Sequence, residues 1–463
     1  MEEDSCREVR DEGHRITWRT DRLGMPLTET VTGPDLVTPE EVRDAILLCG
    51  LTSRSTRRVR TGIGASRQDV NVSVRGGNRV EIKGVPRAGY AVKLVHNEGI
   101  RQVNLLKMRD EMRRRGLKTP GDIRMKACDV SGILTFRPDA KVFAVKIDGV
   151  AGLAEHPTQP ATTFLDELSG RIRVIACLDQ HPIVLSSASI DGLRRNRIRE
   201  RLRAGEHDEY FIVCGPEDDC RTAAEEIRLR FADAAEGVPK ETRQALAGGF
   251  TTFERILPGA DRMYPDTDSP PTRVTAERVA RIKAGLKPPP WTRIERYRSW
   301  RVPDETSTFL IRRGGADIVD AVVEKTGVDG LLAAVEIGQR AKALHRAGIP
   351  VQRLGAAEWV EVFDLFTGGR IPREAISLIA TRMATDGLTA ASAAQAEGVT
   401  VLGRERWQAA ANGLDMAGYF EKDDSAAKRL RFLAGRAMQM LKYKAPAREI
   451  VEYLQSTIEL AAK

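Results

Sequence analysis

Residues 67–85 alternate apolar and polar side chains on both sides of Gly76-Gly77-Asn78, and no other feature of the chain constrains its fold as tightly. Period-two alternation marks a strand with one buried face, because a slip of one residue would turn every valine to water. Glycine and asparagine tolerate the positive φ angles of a hairpin loop. The spacing therefore predicts an antiparallel hairpin with Val70, Val72, Val74, Val80 and Ile82 on one face. The opposite face would hold Asp69, Asn71, Ser73, Arg75, Arg79, Glu81 and Lys83. Charged and hydrogen-bonding groups on rigid strands suit a phosphorylated ligand. On the residues alone, a sheet with one wet side explains the same pattern.

Elsewhere the reading is coarser. Thr38-Pro39-Glu40-Glu41 supplies an N-cap, a first-turn proline and a capping glutamate, predicting a helix that runs to Cys49 and Gly50. Apolar spacing predicts a second helix over 97–115, stopped by Gly116. Residues 142–147 and 209–214 read as buried strands and 222–235 as an amphipathic helix, which together suggest a compact α+β insertion. A loop-rich stretch over 248–291 contains Ser269-Pro270-Pro271 and Pro288-Pro289-Pro290. Prolines at that density deny donors to a ladder or helix and mark a connector. Helix periods then recur at 318–326, 331–346, 371–385 and 426–442. The expected organisation is a cradle over 1–118, an insertion over 119–245, a return to the cradle and connector over 246–291, a helical domain over 292–400 and a helical tail over 401–463.

Composition excludes some classes. No apolar run is long enough to span a membrane, and Met1-Glu2-Glu3-Asp4-Ser5-Cys6 has no signal-peptide order, so a cytoplasmic location is expected. The six cysteines are scattered without a Cys-x2-Cys pair, which argues against a zinc site. The net charge of +8 is unevenly spread. Residues 425–448 carry Lys428, Arg429, Arg431, Arg436, Lys442, Lys444 and Arg448 and no acid. Arg194, Arg195, Arg197, Arg199, Arg201 and Arg203 crowd a second run with only Glu200 against them. Either block would track phosphates or form a solvated helix face.

The two halves of the hairpin, Arg67 to Ser73 and Arg79 to Lys83, resemble the Arg-x-Asp-x-Asn-Val-Ser and Arg-Val-Glu-Ile-Lys signature of the B and E subunits of tRNA-dependent amidotransferases. Asp21-Arg22-Leu23-Gly24-Met25-Pro26-Leu27-Thr28-Glu29, Gly33-Pro34-Asp35, Asn97-Glu98, Arg101-Gln102 and Met263-Tyr264-Pro265-Asp266-Thr267-Asp268-Ser269-Pro270-Pro271 follow the family in order. Gly84 resembles the E type. So does the insertion, whose Arg199-Glu200-Arg201-Leu202 and Gly237-Val238-Pro239 are similar to a domain of bacterial aspartyl-tRNA synthetase. A B-type subunit is the weaker match.

The resemblance implies an α+β protein: a partial antiparallel β cradle of kinase-like function, the insertion domain, an all-helical domain and a tRNA-binding tail. It implies ATP and Mg2+, the substrate Glu-tRNA(Gln), and a partner D subunit, of amidase or asparaginase type, that supplies ammonia. By the same resemblance Glu2 and Glu29 would bind the metal. Glu81, Lys83, Arg67 and Arg79 would serve catalysis, Asp69, Asn71 and Ser73 would line the nucleotide site, and Lys428, Arg429, Arg431, Arg436, Lys442 and Lys444 would meet the tRNA. The family's opening Gly-Leu-Glu-x-His strand has no counterpart in this sequence. The expectation is therefore a chain that lacks the first part of its cradle and is inactive without that part and its partner. The rival expectation is a non-catalytic tRNA-binding fragment or paralogue.

Overall fold

The alternation between residues 70 and 83 becomes a hairpin, and the hairpin forms half of a four-stranded sheet. The computed structural model describes residues 2–4, 6–62, 64–256, 273–419 and 425–461. Two units make up the chain: Met1–Cys49 with Thr61–Ala276, and Gly50–Arg60 with Glu277–Lys463.

In the first unit the strands begin with β1 (Glu2–Glu3), β2 (Arg7–Glu12), β3 (Arg15–Arg19), β4 (Pro26–Leu27), β5 (Val70–Val72) and β6 (Val80–Lys83). They continue with β7 (Met125–Asp129), β8 (Lys141–Ile147), β9 (Val184–Ser186), β10 (Glu209–Gly215), β11 (Glu241–Ala245) and β12 (Thr251–Ile256). The helices named below are α1 (Pro39–Ser55), α2 (Ala88–Arg114), α3 (Phe164–Ile175), α4 (Gly192–Leu202) and α5 (Glu217–Glu236). One sheet runs β12-β11-β6-β5 and another β7-β8-β10-β9, while β1–β4 and β2–β3 are separate pairs. Neighbours are antiparallel except β6 and β11, which run parallel. The protein is mixed α+β with small sheets and a helical C-terminal region.

Helix α2 is the spine of this unit. Its first turns supply Ala91 and Leu94, which pack with Val70, Val72 and Ile82 under the sheet. Its later turns bury Leu105, Met108 and Met112 among Val145 of β8, Phe211 of β10, Phe164 of α3 and Phe231 of α5.

Several local expectations need correction. The hairpin strands are shorter than the alternation suggests, and pairing ends at Val72 opposite Val80. Gln102 of α2 explains the early end: its amide donates to Val72 O at 3.0 Å and accepts from Val74 N at 3.0 Å, so a side chain takes over the ladder. Ser73, Arg75 and Arg79 therefore lie in the loop rather than on a strand, and of its central residues only Gly76 adopts positive φ. Helix α1 continues through Gly50, an interior glycine that costs about 1 kcal/mol relative to alanine. Helix α2 begins nine residues before the predicted start, because Arg87 at its N-cap makes no side-chain cap and leaves no signal. Residues 251–256, read as loop, form β12. Strand β11, counted with the insertion, pairs instead with β6.

The second unit is helical. Helices Gly315–Thr326, Ile376–Asp386 and Ala426–Leu441 match the predicted periods, and Gly330–Val335 passes through a π turn into Ala341–Arg346. Trp407, Leu441, Ile450 and Leu454 give its last helices a core of their own. Among the described residues, no helix is long and apolar enough to cross a membrane.

Candidate functional site

Registers in the four-stranded sheet decide which side chains meet. Val80 and Ile82 of β6 are wholly buried, so Glu81 and Lys83 point to the other face. Glu81 stands opposite Asn71 on β5 and Thr242 on β11, and Thr242 stands opposite Arg255 on β12. The Thr242 hydroxyl donates to Glu81 Oε2 at 3.0 Å. Lys83 Nζ lies 3.2 Å from Asp69 Oδ2 and 3.7 Å from Glu81 Oε1.

Glu254 of β12 joins the group. Burial raises its pKa, Arg255 and Lys83 pull it down, and Glu81 and Asp69 push it up again. The face thus sets the Lys83 ammonium and the Arg255 guanidinium among three carboxylates, one of them tuned upward. Sequence reading missed Glu254 and Thr242. The alternation in Thr251-Thr252-Phe253-Glu254 was a signal for the strand, but nothing local reveals which strand it joins.

The other predicted residues have varied fates. Asn71 lies exposed on this face, and Arg79 makes no ion pair or hydrogen bond among the described residues. Arg67 is engaged by the buried carboxylate of Asp4 at 2.9 Å. Glu29 is exposed, two residues beyond Leu27, the residue that pairs with Glu2. The Glu2 side chain and the Met263–Pro271 motif lie outside the described residues. Carboxylates have the hard-oxygen chemistry that Mg2+ prefers. Among the described residues, however, no three Asp, Glu, His or Cys side chains converge to hold a metal. No step below is therefore routed through one.

The reverse side of the sheet holds a buried charge cluster. Arg101 of α2 pairs with Glu98, with Glu167 of α3 and with Glu241 of β11. Arg243 of β11 binds Glu241 at 2.6 Å and Glu167 at 3.3 Å, and Arg230 of α5 binds Glu167 at 3.1 Å. Burial alone would raise the pKa of Glu167, but Arg101 and Arg243 overcome it and hold the carboxyl well below its ordinary range. Glu241 is lowered against the same burial by Arg101, Arg243 and Arg230.

In the second unit the basic run splits into two kinds. Arg436 Nη1 is taken up by Asp415 Oδ1 at 2.6 Å and by the carbonyls of Asp415 and Ala417. It anchors a loop instead of standing ready for phosphate. Arg431, Lys442 and Lys444 are exposed, Lys442 beside the Tyr443 ring. Lys428 and Arg429 each have a partner.

Residues 1–280 match the GatB/GatE catalytic domain. The chain is similar to the E subunit of a glutamyl-tRNA(Gln) amidotransferase from Thermococcus gammatolerans, 35% identical over 88% of this chain and 66% of that protein. A protein of the same description from Pyrococcus horikoshii is 33% identical over 88% and 65%. Another from Methanocaldococcus jannaschii is 31% identical over 99% and 75%. The chain spans just under two thirds of the length of the first two relatives.

Proposed function

The chain belongs to the GatB/GatE family, and from that premise we propose that it acts as the E-type subunit of a tRNA-dependent amidotransferase. The substrate is glutamate esterified to tRNA(Gln). A side-chain carboxylate oxygen bonds to the γ-phosphorus of ATP and ADP leaves, giving an acyl phosphate. Ammonia then attacks the acyl carbon, phosphate departs and one proton is released as the amide forms. A D-type partner, an amidase or asparaginase-type protein, supplies the ammonia. No Cys-His or Ser-Lys arrangement in this sequence suggests an amidase of its own.

The observation that carries the reading is Lys83 held among Asp69, Glu81 and Glu254 on one sheet face. Phosphoryl transfer is mostly positioning plus fixed positive charge on developing oxygens. Lys83 supplies that charge, and Glu81, itself held by Thr242, aims it. Arg79 offers a second cation from the loop, while Asn71 and Asp69 present polar groups to a nucleotide. Glu254, within electrostatic reach of Lys83 and Glu81 on this face, would take up the proton released on amidation. Mg2+ would arrive bound to ATP; Glu29, Asp69 and Glu81 have the hard-oxygen chemistry to contact it singly, since among the described residues no three acidic side chains converge on a metal. In the tail, Arg431, Lys442 and Lys444, with Lys428 and Arg429 beside them, dock tRNA phosphates, and Arg436 supports that surface.

Transamidation of Glu-tRNA(Gln) with ATP and glutamine or asparagine tests the proposal, using this chain with a D-type partner and with an upstream segment carrying the family's first strand. ATP-dependent Gln-tRNA formation that needs Lys83 supports it. Tight tRNA binding without transfer in every combination would instead make the chain a tRNA-binding relative that has lost catalysis.

A further inference from the structure

Helix α4 lies on the second sheet and is anchored to it by two residues. Ile198 and Leu202 are fully buried, whereas most of the other side chains are exposed. Over residues 190–205 the chain has six arginines against Asp191 and Glu200, and the structure separates the arginines by task. Arg195 donates to the carbonyls of Ala188 and Ile190, and Arg199 caps Ala204 O at 3.0 Å. Those two hold the helix and its ends. Arg194, Arg197 and Arg201 recur at i, i+3 and i+7, so they form one row along a flank of the helix, about 10 Å long at 1.5 Å rise per residue.

In that row Arg194 has only an exposed pair with Asp191 at 3.2 Å, and Arg197 has no partner among the described residues. Arg201 reaches the Cys128 thiol on edge strand β7. From the same strand Lys126 reaches Arg201 O at 3.4 Å, so the exposed Lys126 continues the strip. The row contains no aromatic residue, and Leu193 is the only exposed apolar residue of the helix.

We infer that this strip of α4 and β7 is a second RNA-docking surface, which grips the phosphate backbone of a double-stranded stem of the tRNA. The inference rests on the proposed function, because it takes tRNA as the partner. Protein interfaces bury an apolar or aromatic centre, which the row lacks. Single-stranded RNA is held by aromatic stacking, also lacking. Duplex RNA is read by shape and backbone, for which a row of guanidinium groups suffices. Contacts of this kind position the RNA without reading its bases.

The test measures binding of a fluorescent, unmodified tRNA transcript to the full chain between about 50 and 200 mM salt. Arg194→Gln, Arg197→Gln and Arg201→Gln are combined in one variant, and a tail variant, Arg431→Gln with Lys444→Gln, is the comparison. The helix triple variant should lose roughly ten- to a hundred-fold in affinity and somewhat under three units of log–log salt slope. The loss should be equal for cognate and non-cognate tRNAs. Arg197→Gln alone, which breaks no internal contact, should lower the slope by just under one unit, so a folding defect in the triple variant leaves the test intact. Lysine at all three positions should restore binding. If the tail variant weakens binding and the helix variants do not, the inference falls and the proposed function stands. Loss of a D-type partner with tRNA binding unchanged would also overturn it, making the strip a protein interface. If the parental chain binds no tRNA at low salt, the proposed function itself fails.

Discussion

Strand β11 passes between two surroundings that use the same residue types differently. Thr242 faces the polar side, where Lys83, Glu81, Asp69 and Glu254 are partly exposed and loosely coupled. Glu241 and Arg243, its immediate neighbours, face a cluster in which Arg101 and Glu98 are wholly buried. Removing a charge from water is costly unless a partner repays it, so the reverse face is densely paired. A site must leave charge unsatisfied for a ligand to complete. The polar face has that character, and the contrast assigns support to one face of the sheet and, in the proposed function, chemistry to the other.

The contrast breaks most visibly at Arg101. Arg101→Ala should remove the partner that Glu98, Glu167 and Glu241 share and destabilise the first unit by about 3–5 kcal/mol, seen as a large fall in thermal midpoint. A variant that melts normally but transfers poorly would move this cluster into the catalytic machinery. On the other face, Lys83→Ala should lower ATP-dependent transfer roughly 100- to 1,000-fold with little change in midpoint. Parallel losses of activity and stability would erase the distinction.

Glu254 sharpens it. Because burial raises its folded pKa, its stabilising contribution is fullest below the ordinary carboxylate range and is lost as pH rises. Glu254→Gln should therefore raise the melting midpoint near neutral pH and slow transfer, and the stability gain should disappear in acid. A stability loss at neutral pH would assign Glu254 to support. Glu167 and Glu241 have the opposite sign. Their folded pKa values are depressed, so their stability is present above the ordinary carboxylate pKa and lost as pH falls through the depressed values. Glu241→Gln should lower stability above the ordinary carboxylate pKa and so flatten the acid limb of the stability–pH curve. An unchanged acid limb would mean the cluster is not charged as described.

Local pattern revealed the parts that depend on neighbours in sequence. Val70, Val72, Val80 and Ile82 alternate, so the hairpin, its buried face and the placement of Glu81 and Lys83 could be read directly. The strand end could not, because it is set by Gln102 from a helix. Thr242 and Glu254 were illegible for a related reason: the Thr242–Glu81 hydrogen bond spans 161 residues. Glu98 and Arg101 stood out only as a family resemblance, since a charged pair on a helix normally signals a wet face. Arg436 shows the converse. It belongs to an acid-free basic run, yet folding commits it to Asp415 and Ala417.

The parallel pairing of β6 with β11 also dictates an order of events during synthesis. Adjacent strands of the sheet are separated by the whole α+β body. Closing a flexible loop of that length would cost about 4–5 kcal/mol, more than three parallel register pairs readily repay. A body that has already condensed around α2 removes most of that cost before β11 docks. The sheet is then completed from its far side, after the hairpin has waited with an open edge that Lys83 helps protect from mispairing. A nascent chain that stops before residue 256 carries the hairpin without β12, and with it only part of the polar face. In the proposed function, the polar face is therefore complete only once the intervening body has folded.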